Sequence, residues 1–278
     1  MMNGGAAPSL AGHEVLFVPA QWTTIQDAVD AVSGPATLIV DPGIYQESVR
    51  ILSKPYLVIQ SSHLGRRGVT IAGQSMASVI GIEQSVVHFS GIDVRSDGRS
   101  RGLLILDSSV TFQECVVSGN RVSDQVGEPF GAGMLCRRSS VRIQKSTIAG
   151  NTIDAPAAAG GGLYFADCKV EIAGSSIQTN AIYAPDRAGG GGIWCERSSM
   201  RMWRSRVTDN VLYAESCEGA GIYFNDSDAR LGGSVVSGNG SVAGRGGGIF
   251  IDGNAARIAV HRNTVVRQNH PDDLFSRR

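Results

Sequence analysis

Apolar and polar positions alternate along this chain in short bursts that return on a fixed period. A glycine-led apolar segment recurs: LLIL after Gly102, MLCR after Gly133, LYFA after Gly162, IWCE after Gly192, IYFN after Gly221 and IFID after Gly248. A second short segment follows it (SVTF, SVRI, KVEI, SMRM, DARL), and a third ends on asparagine. Those asparagines are Asn120, Asn151, Asn180, Asn210, Asn239 and Asn269, at intervals of 31, 29, 30, 29 and 30 residues. Period-two alternation inside each segment reads as strand, and the three-and-four spacing of a helical repeat is missing. Three short strands every thirty residues or so predict a solenoid with one coil per repeat.

Column by column, the first and third positions after each glycine are apolar and are expected to point into the coil. Phe165 and Phe224 then belong to the core, and Cys136 and Cys195 act there as small hydrophobes. The recurrent asparagine suits a left-handed or bridging backbone at a corner, where stacked side chains form an amide ladder. A different element precedes the repeats. Between Trp22 and Val32, Ile25, Ala28, Val29 and Val32 share one helical face, Thr23 and Gln26 have capping-box spacing, and Gly34-Pro35 ends the helix. This amphipathic helix is expected to cap the solenoid. The whole chain, 1–278, is expected to form one domain: a cap region over 1–36, coils over 37–269, and a tail over 270–278 that closes the far end less completely.

Composition narrows the function. Lys plus Arg (25) equals Asp plus Glu (25), so no global field recruits nucleic acid or an anionic membrane. No apolar run approaches the length of a membrane-spanning helix. The first residues lack a basic region followed by an apolar one, which favours the cytoplasm; a leader trimmed from a secreted protein would leave the same text. Five cysteines, an odd number without CxxC spacing, predict free thiols rather than a disulfide frame or zinc site. The five histidines are scattered without ligand spacing. Asp93, Asp97 and Asp107 could border a calcium site, but no dense carboxylate loop supports one. Neither metal nor cofactor is expected.

The run TIQDAVDAV…LIVDPGIYQESVRI resembles the opening signature of the pectin-lyase-like superfamily. Later segments, GGGLYF…SSIQTN and GGGIFI…NTVVRQN, look like that superfamily's generic repeats. The similarity spans roughly residues 15 to 272 and implies an all-β, right-handed parallel β-helix of about eight coils with an N-terminal capping helix. It implies little about chemistry, because the same fold carries lyases, hydrolases, esterases, epimerases and binding modules. The catalytic motifs of polygalacturonases, pectin methylesterases, pectate lyases and alginate epimerases are all missing, so no catalytic residue carries over.

Candidate chemistry must come from the outward columns. The second position after each glycine reads Leu104, Leu135, Tyr164, Trp194, Tyr223, Phe250, an aromatic stripe spaced about 4.8 Å per coil. Either it floors a groove where flat rings stack, or loops or another chain cover it. Beside it lie Arg137 and Glu196, and the loops entering the glycine strands carry Asp154, Asp186, Arg187 and Glu215, with Tyr183 and Tyr213 one coil apart. Carboxylates of this kind can act as general acid and base, and arginine can stabilise a developing oxyanion. The expectation is a carbohydrate-active or related enzyme (lyase, hydrolase, epimerase or isomerase type). Its catalytic residues would be Asp186, Asp154, Glu215, Glu196 and Arg187, with substrate held by Trp194, Tyr164, Tyr223 and Arg137. The ligand would be a carbohydrate or another polyhydroxylated or cyclic small molecule. Alternatives are a non-catalytic glycan- or protein-binding module, and a structural protein that oligomerises through the stripe. A separate column, Arg142, Glu171, Arg201, Arg230, reads as a charge ladder, with a track for an acidic ligand as the alternative.

Overall fold

The computed structural model describes residues 12–63, 68–73, 77–98, 100–124, 128–253 and 256–277. Residues 1–11 of the expected cap region and Arg278 of the tail lie outside them. The glycine-led segments (Arg101–Leu106, Met134–Arg137, Leu163–Ala166, Ile193–Glu196, Ile222–Asn225, Ile249–Asp252) stack in parallel as sheet I. The second segments (Ser109–Gln113, Ser140–Gln144, Lys169–Ala173, Ser199–Trp203, Asp228–Gly232) form sheet II, and the third (Val116–Ser118, Thr147–Ala149, Ser176–Gln178, Arg206–Thr208, Val235–Ser237) form sheet III. Among the described residues these sheets hold nine, ten and nine strands, each strand beside its equivalent one coil away. The result is a right-handed parallel β-helix of about eight turns.

Three left-handed corners turn each coil. Between sheets I and II, Asp107, Arg138, Asp167, Arg197 and Asp226 have positive φ; between II and III the same holds for Glu114, Lys145, Gly174, Arg204 and Gly233. At the third corner the positive φ belongs to Gly119, Gly150, Thr179, Asp209, Gly238 and Gln268, each directly before an asparagine and not on it. Holding non-glycine residues there is costly. A polar ladder at every corner offsets that cost. Asn151 Nδ2 donates to Asn180 Oδ1 at 2.9 Å, Asn180 Nδ2 to Asn210 Oδ1 at 2.9 Å and Asn210 Nδ2 to Asn239 Oδ1 at 2.8 Å. The expected amide ladder is present. Two serine ladders accompany it: Ser108 N donates to Ser139 Oγ (3.1 Å) and Ser198 N to Ser227 Oγ (3.0 Å) at the first corner, Ser146 N to Ser175 Oγ (3.1 Å) and Ser175 N to Ser205 Oγ (3.2 Å) at the second.

Inward columns form one apolar core that includes Phe165, Phe224, Cys136 and Cys195, all fully buried. Cys136 pairs in register with Phe165 and Phe165 with Cys195, and all five cysteines are free. The capping helix α1 spans Ile25–Ala31 and buries the expected face. Its cap differs from expectation. Thr24, not Thr23, accepts from the Asp27 amide at 3.0 Å, and Glu47 accepts from the Ile25 and Gln26 amides at 2.9 and 2.8 Å. Gln26 instead exchanges hydrogen bonds with the Arg50 backbone, because the Glu47 carboxylate, from the connection between the strands Gly43–Tyr45 and Val49–Leu52, already fills the capping position. Glu14–Val18 precedes the helix and supplies the first strand of sheet II, while Leu274–Arg277 of the tail pairs with Ile249–Asp252. Val265 and Leu274 stay exposed at that end.

The segments expected to be loops entering the glycine strands are built structure. Arg121–Ser123, Thr152–Asp154, Ala181–Tyr183, Val211–Tyr213 and Gly240–Ser241 form sheet IV; Ala157–Ala159, Arg187–Gly189 and Ser216–Glu218 form sheet V. Val122, Ile153, Ile182 and Leu212 pack with Ala155, Ala158, Ala184, Ala188 and Cys217 in a second apolar core. Small residues in this layer let the extra strands lie close.

Candidate functional site

Sheet V lies over the aromatic stripe and closes the expected groove. Tyr164 and Tyr223 are only 6% and 1% exposed, Leu135 and Phe250 are equally buried, and Trp194 is partly buried. A Cβ on Gly189 would collide with the Trp194 indole, so only glycine lets the covering strand approach. The rings also stack on one another along the solenoid axis, Tyr164 to Trp194 at 6.2 Å, Trp194 to Tyr223 at 3.9 Å and Tyr223 to Phe250 at 5.1 Å, with planes 6–12° apart. A stack of this kind spends each ring face on its neighbour. The solvent-facing stripe of the sequence reading is therefore corrected: among the described residues it is a layer largely covered by the same chain, with only Leu104 and Trp194 partly exposed.

The polar residues expected around the stripe fall into separate places. Tyr164 donates to Glu196 at 2.7 Å and Tyr223 to Asp252 at 2.8 Å; burial and these acceptors push both phenols well above their ordinary range. Glu196 is also bonded by Arg197. Arg187 pairs with the buried Glu218 at 2.8 Å, which Arg277 bonds as well, and Arg137 pairs with Glu128 at 2.5 Å. Asp154 is bridged by Arg121 at 3.0 Å. Asp154 and Glu215 line one shallow hollow of about 440 Å³ beside the stacked, exposed pair Tyr183 and Tyr213. Asp186 is exposed in the next loop, in register with Glu215. Of the nine expected site residues, Tyr164 and Tyr223 thus stack on Trp194 and Glu196 bonds to Tyr164, while Arg137, Asp154, Asp186, Arg187 and Glu215 fall elsewhere. Asp107, named for calcium, is held by Arg138 at 2.6 and 2.7 Å, and among the described residues no group of His, Cys, Asp and Glu is placed to hold a metal.

The open face is the outer side of sheet II. Arg142, Glu171, Arg201 and Arg230 stand in one register column. Arg142 donates to Glu171 at 2.8 Å; among the described residues Arg201 and Arg230 have no ion-pair partner. The charge ladder is thus only half formed. Two residues past Arg201, Trp203 is 46% exposed. Three of its ring carbons lie 3.2–3.3 Å from the place a Gly232 Cβ would take, so the indole lies flat on that glycine with its other side outward. Arg142, Gln144, Glu171, Ala173, Arg201, Trp203 and Arg230 bound a hollow of about 390 Å³, and Lys169, Arg201, Arg230 and Arg257, with the carboxylates Glu171 and Asp228, border an adjoining one of about 590 Å³. Sequence reasoning missed Trp203, although its signal is present: an outward strand position with a bulky ring, opposite glycine one repeat later. It also missed Arg101, a buried arginine that donates to the Phe130, Gly131, Glu128 and Ala77 carbonyls and so anchors the turn before sheet I. Burial pulls its pKa down to about 10.

Parallel coils, left-handed corners and stacked polar ladders define a β-helix solenoid. The chain belongs to the family described as "Right handed beta helix region", which matches residues 67–265. None of the curated proteins matches the sequence. Among solved structures, the pectin methylesterase from Aspergillus niger in deglycosylated form is 15% identical, over 98% of this chain and 91% of its own, with a TM-score of 0.48. A pectin methylesterase in complex with hexasaccharide VII is 12% identical (96% and 93% covered, TM-score 0.46), and pectin methylesterase from carrot is 12% identical (95% and 88%, TM-score 0.43). At these identities and scores the likenesses bear on neither substrate nor activity.

Proposed function

We propose that this protein binds an acidic polysaccharide along the outer face of sheet II. The observation that carries the reading is the pairing of an outward-facing indole, Trp203, with two unpartnered arginines, Arg201 and Arg230, on consecutive coils. A flat indole offers a sugar ring an apolar platform, and a guanidinium binds a carboxylate through charge-assisted hydrogen bonds. A linear uronate chain carries one carboxylate per sugar, which suits cations repeated once per coil. Binding is favoured over acid–base turnover at the Trp203 hollow, because its single carboxylate, Glu171, is already bonded to Arg142. Titration with oligogalacturonate, followed by tryptophan fluorescence, tests the reading against a neutral cello-oligosaccharide of equal length. The acidic oligomer should bind more tightly, and Trp203→Ala should abolish the fluorescence change. Arg201→Gln and Arg230→Gln should each weaken binding about tenfold. Equal binding of both oligomers, or of neither, overturns it.

A further inference from the structure

Two pairs of exposed charges of opposite sign stand on different faces of this solenoid, although Asp228 also faces outward on sheet II, two residues before Arg230. On sheet II, Arg201 and Arg230 sit in register on consecutive coils. At the junction of sheets IV and V, Asp186 and Glu215 do the same: Arg187 pairs with Ser216, and the Ser216 amide donates to the Asp186 carbonyl at 3.1 Å. All four side chains are exposed, and among the described residues none has an ion-pair partner. Both pairs repeat at the same inter-strand spacing, about 4.8 Å. The flanks match as well. Trp203 stands two residues beyond Arg201, Tyr213 stands two residues before Glu215, and Tyr183 stacks on Tyr213 at 4.9 Å, all three exposed.

We propose that a second copy of this chain docks here, with Asp186 and Glu215 of one copy set against Arg201 and Arg230 of the next. The common coil pitch lets two ion pairs form together, charge on charge, while the exposed tyrosines meet the indole side. Single surface ion pairs contribute little; two in fixed register beside buried aromatic area contribute more, because the sheets already hold the backbone positions. The two patches are different surfaces of one molecule, so the contact is heterologous and leaves a free patch of each kind at the ends of the assembly. The inference uses arginines that the carbohydrate reading also uses but does not rest on that reading; an acidic ligand on sheet II competes with the contact.

Sedimentation velocity on the full chain tests this. Wild type should associate progressively at low ionic strength and return to monomer at about 0.5 M salt, where the screening length falls to a few ångströms. The double variant Asp186→Arg, Glu215→Arg and the double variant Arg201→Glu, Arg230→Glu should each be monomeric, and an equimolar mixture of the two should associate again. Circular dichroism confirms that both variants are folded. A wild type that stays monomeric at low salt and high concentration, a charge-reversed variant that still associates alone, or a mixture that remains monomeric overturns the proposal. None of these results depends on whether oligogalacturonate binds.

Discussion

The Trp203 indole rests on Gly232, one coil further along sheet II, with three ring carbons 3.2–3.3 Å from where a side chain would begin. The His261 ring meets the indole edge-on at 5.7 Å. The platform therefore exists because its neighbour has no Cβ.

Gly232→Ala should lift the indole off the sheet. A methyl group at that distance is tighter than ordinary packing, and the ring, open on its outer side, is free to move. Tryptophan emission should shift, and oligogalacturonate affinity should fall several-fold with little change in thermal midpoint, since an exposed ring adds little to stability. Unchanged emission and affinity would show that the platform does not depend on Gly232.

Asn180→Ala should be severe. The Asn180 amide accepts from the Asn151 amide and side chain and donates to Ile148 O and Asn210 Oδ1, fully buried. Its removal leaves several buried groups unsatisfied, at about 1–3 kcal/mol each, so urea denaturation should show a loss of about 3 kcal/mol or more. Asn269→Ala should cost clearly less, because Asn269 ends the ladder on Asp273 at a partly exposed site. Equal losses at the two positions would remove the ladder as the cause.

The fold was legible because β-helix geometry repeats in sequence: the asparagine period and the inward columns follow from period-two alternation at a fixed repeat, and the capping helix from the three-and-four spacing of Ile25, Ala28, Val29 and Val32. The first serine ladder carries the same period at Ser108, Ser139, Ser198 and Ser227, with Cys168 in the place between Ser139 and Ser198, but serine is common and its column stands out only once a residue with positive φ is known to precede it. The stripe was harder. Alternation shows that Tyr164 and Tyr223 leave the main core, not what lies above them; Ala158, Ala188 and Gly189, which read as loop residues, are small because a further strand layer packs there. Trp203 escaped notice because its partner is the glycine of another coil.

Acid should destabilise the protein in two stages. Burial, and then Arg142, lower the pKa of His88, which lies beside Tyr56 at 5.2 Å. A histidine depressed in the folded state stabilises fully above its ordinary value of 6.5, and that contribution is lost as pH falls through 6.5 toward the folded value. Asp107 and Asp167 are lowered by hydrogen bonds from Arg138 and Arg197, so their contribution holds above the ordinary 3.8 and is lost as pH falls through their lower folded values. Thermal midpoints against pH should show both steps. His88→Gln should remove the first and keep the second; persistence of the first step would assign it to another group.

Trp194 and Trp203 should respond in opposite ways to truncation. Trp194 stacks on Tyr223 at 3.9 Å beneath the Gly189 strand, and both flanking tyrosines bond carboxylates across the same layer. Trp194→Ala opens a ring-sized gap between Tyr164 and Tyr223. Burying a large aromatic and then deleting it costs about 3–5 kcal/mol in a sealed core; partial exposure of Trp194 brings the expected loss to about 2–3 kcal/mol, read by denaturant unfolding. Oligogalacturonate affinity should be unchanged, because the gap opens under sheet V and the ligand face is sheet II. Trp203→Ala should lose the ligand and keep stability within about 0.5 kcal/mol. The reverse pattern, with binding lost in Trp194→Ala at full stability and retained in Trp203→Ala, would make the stripe the ligand floor after all and would remove sheet II from the function.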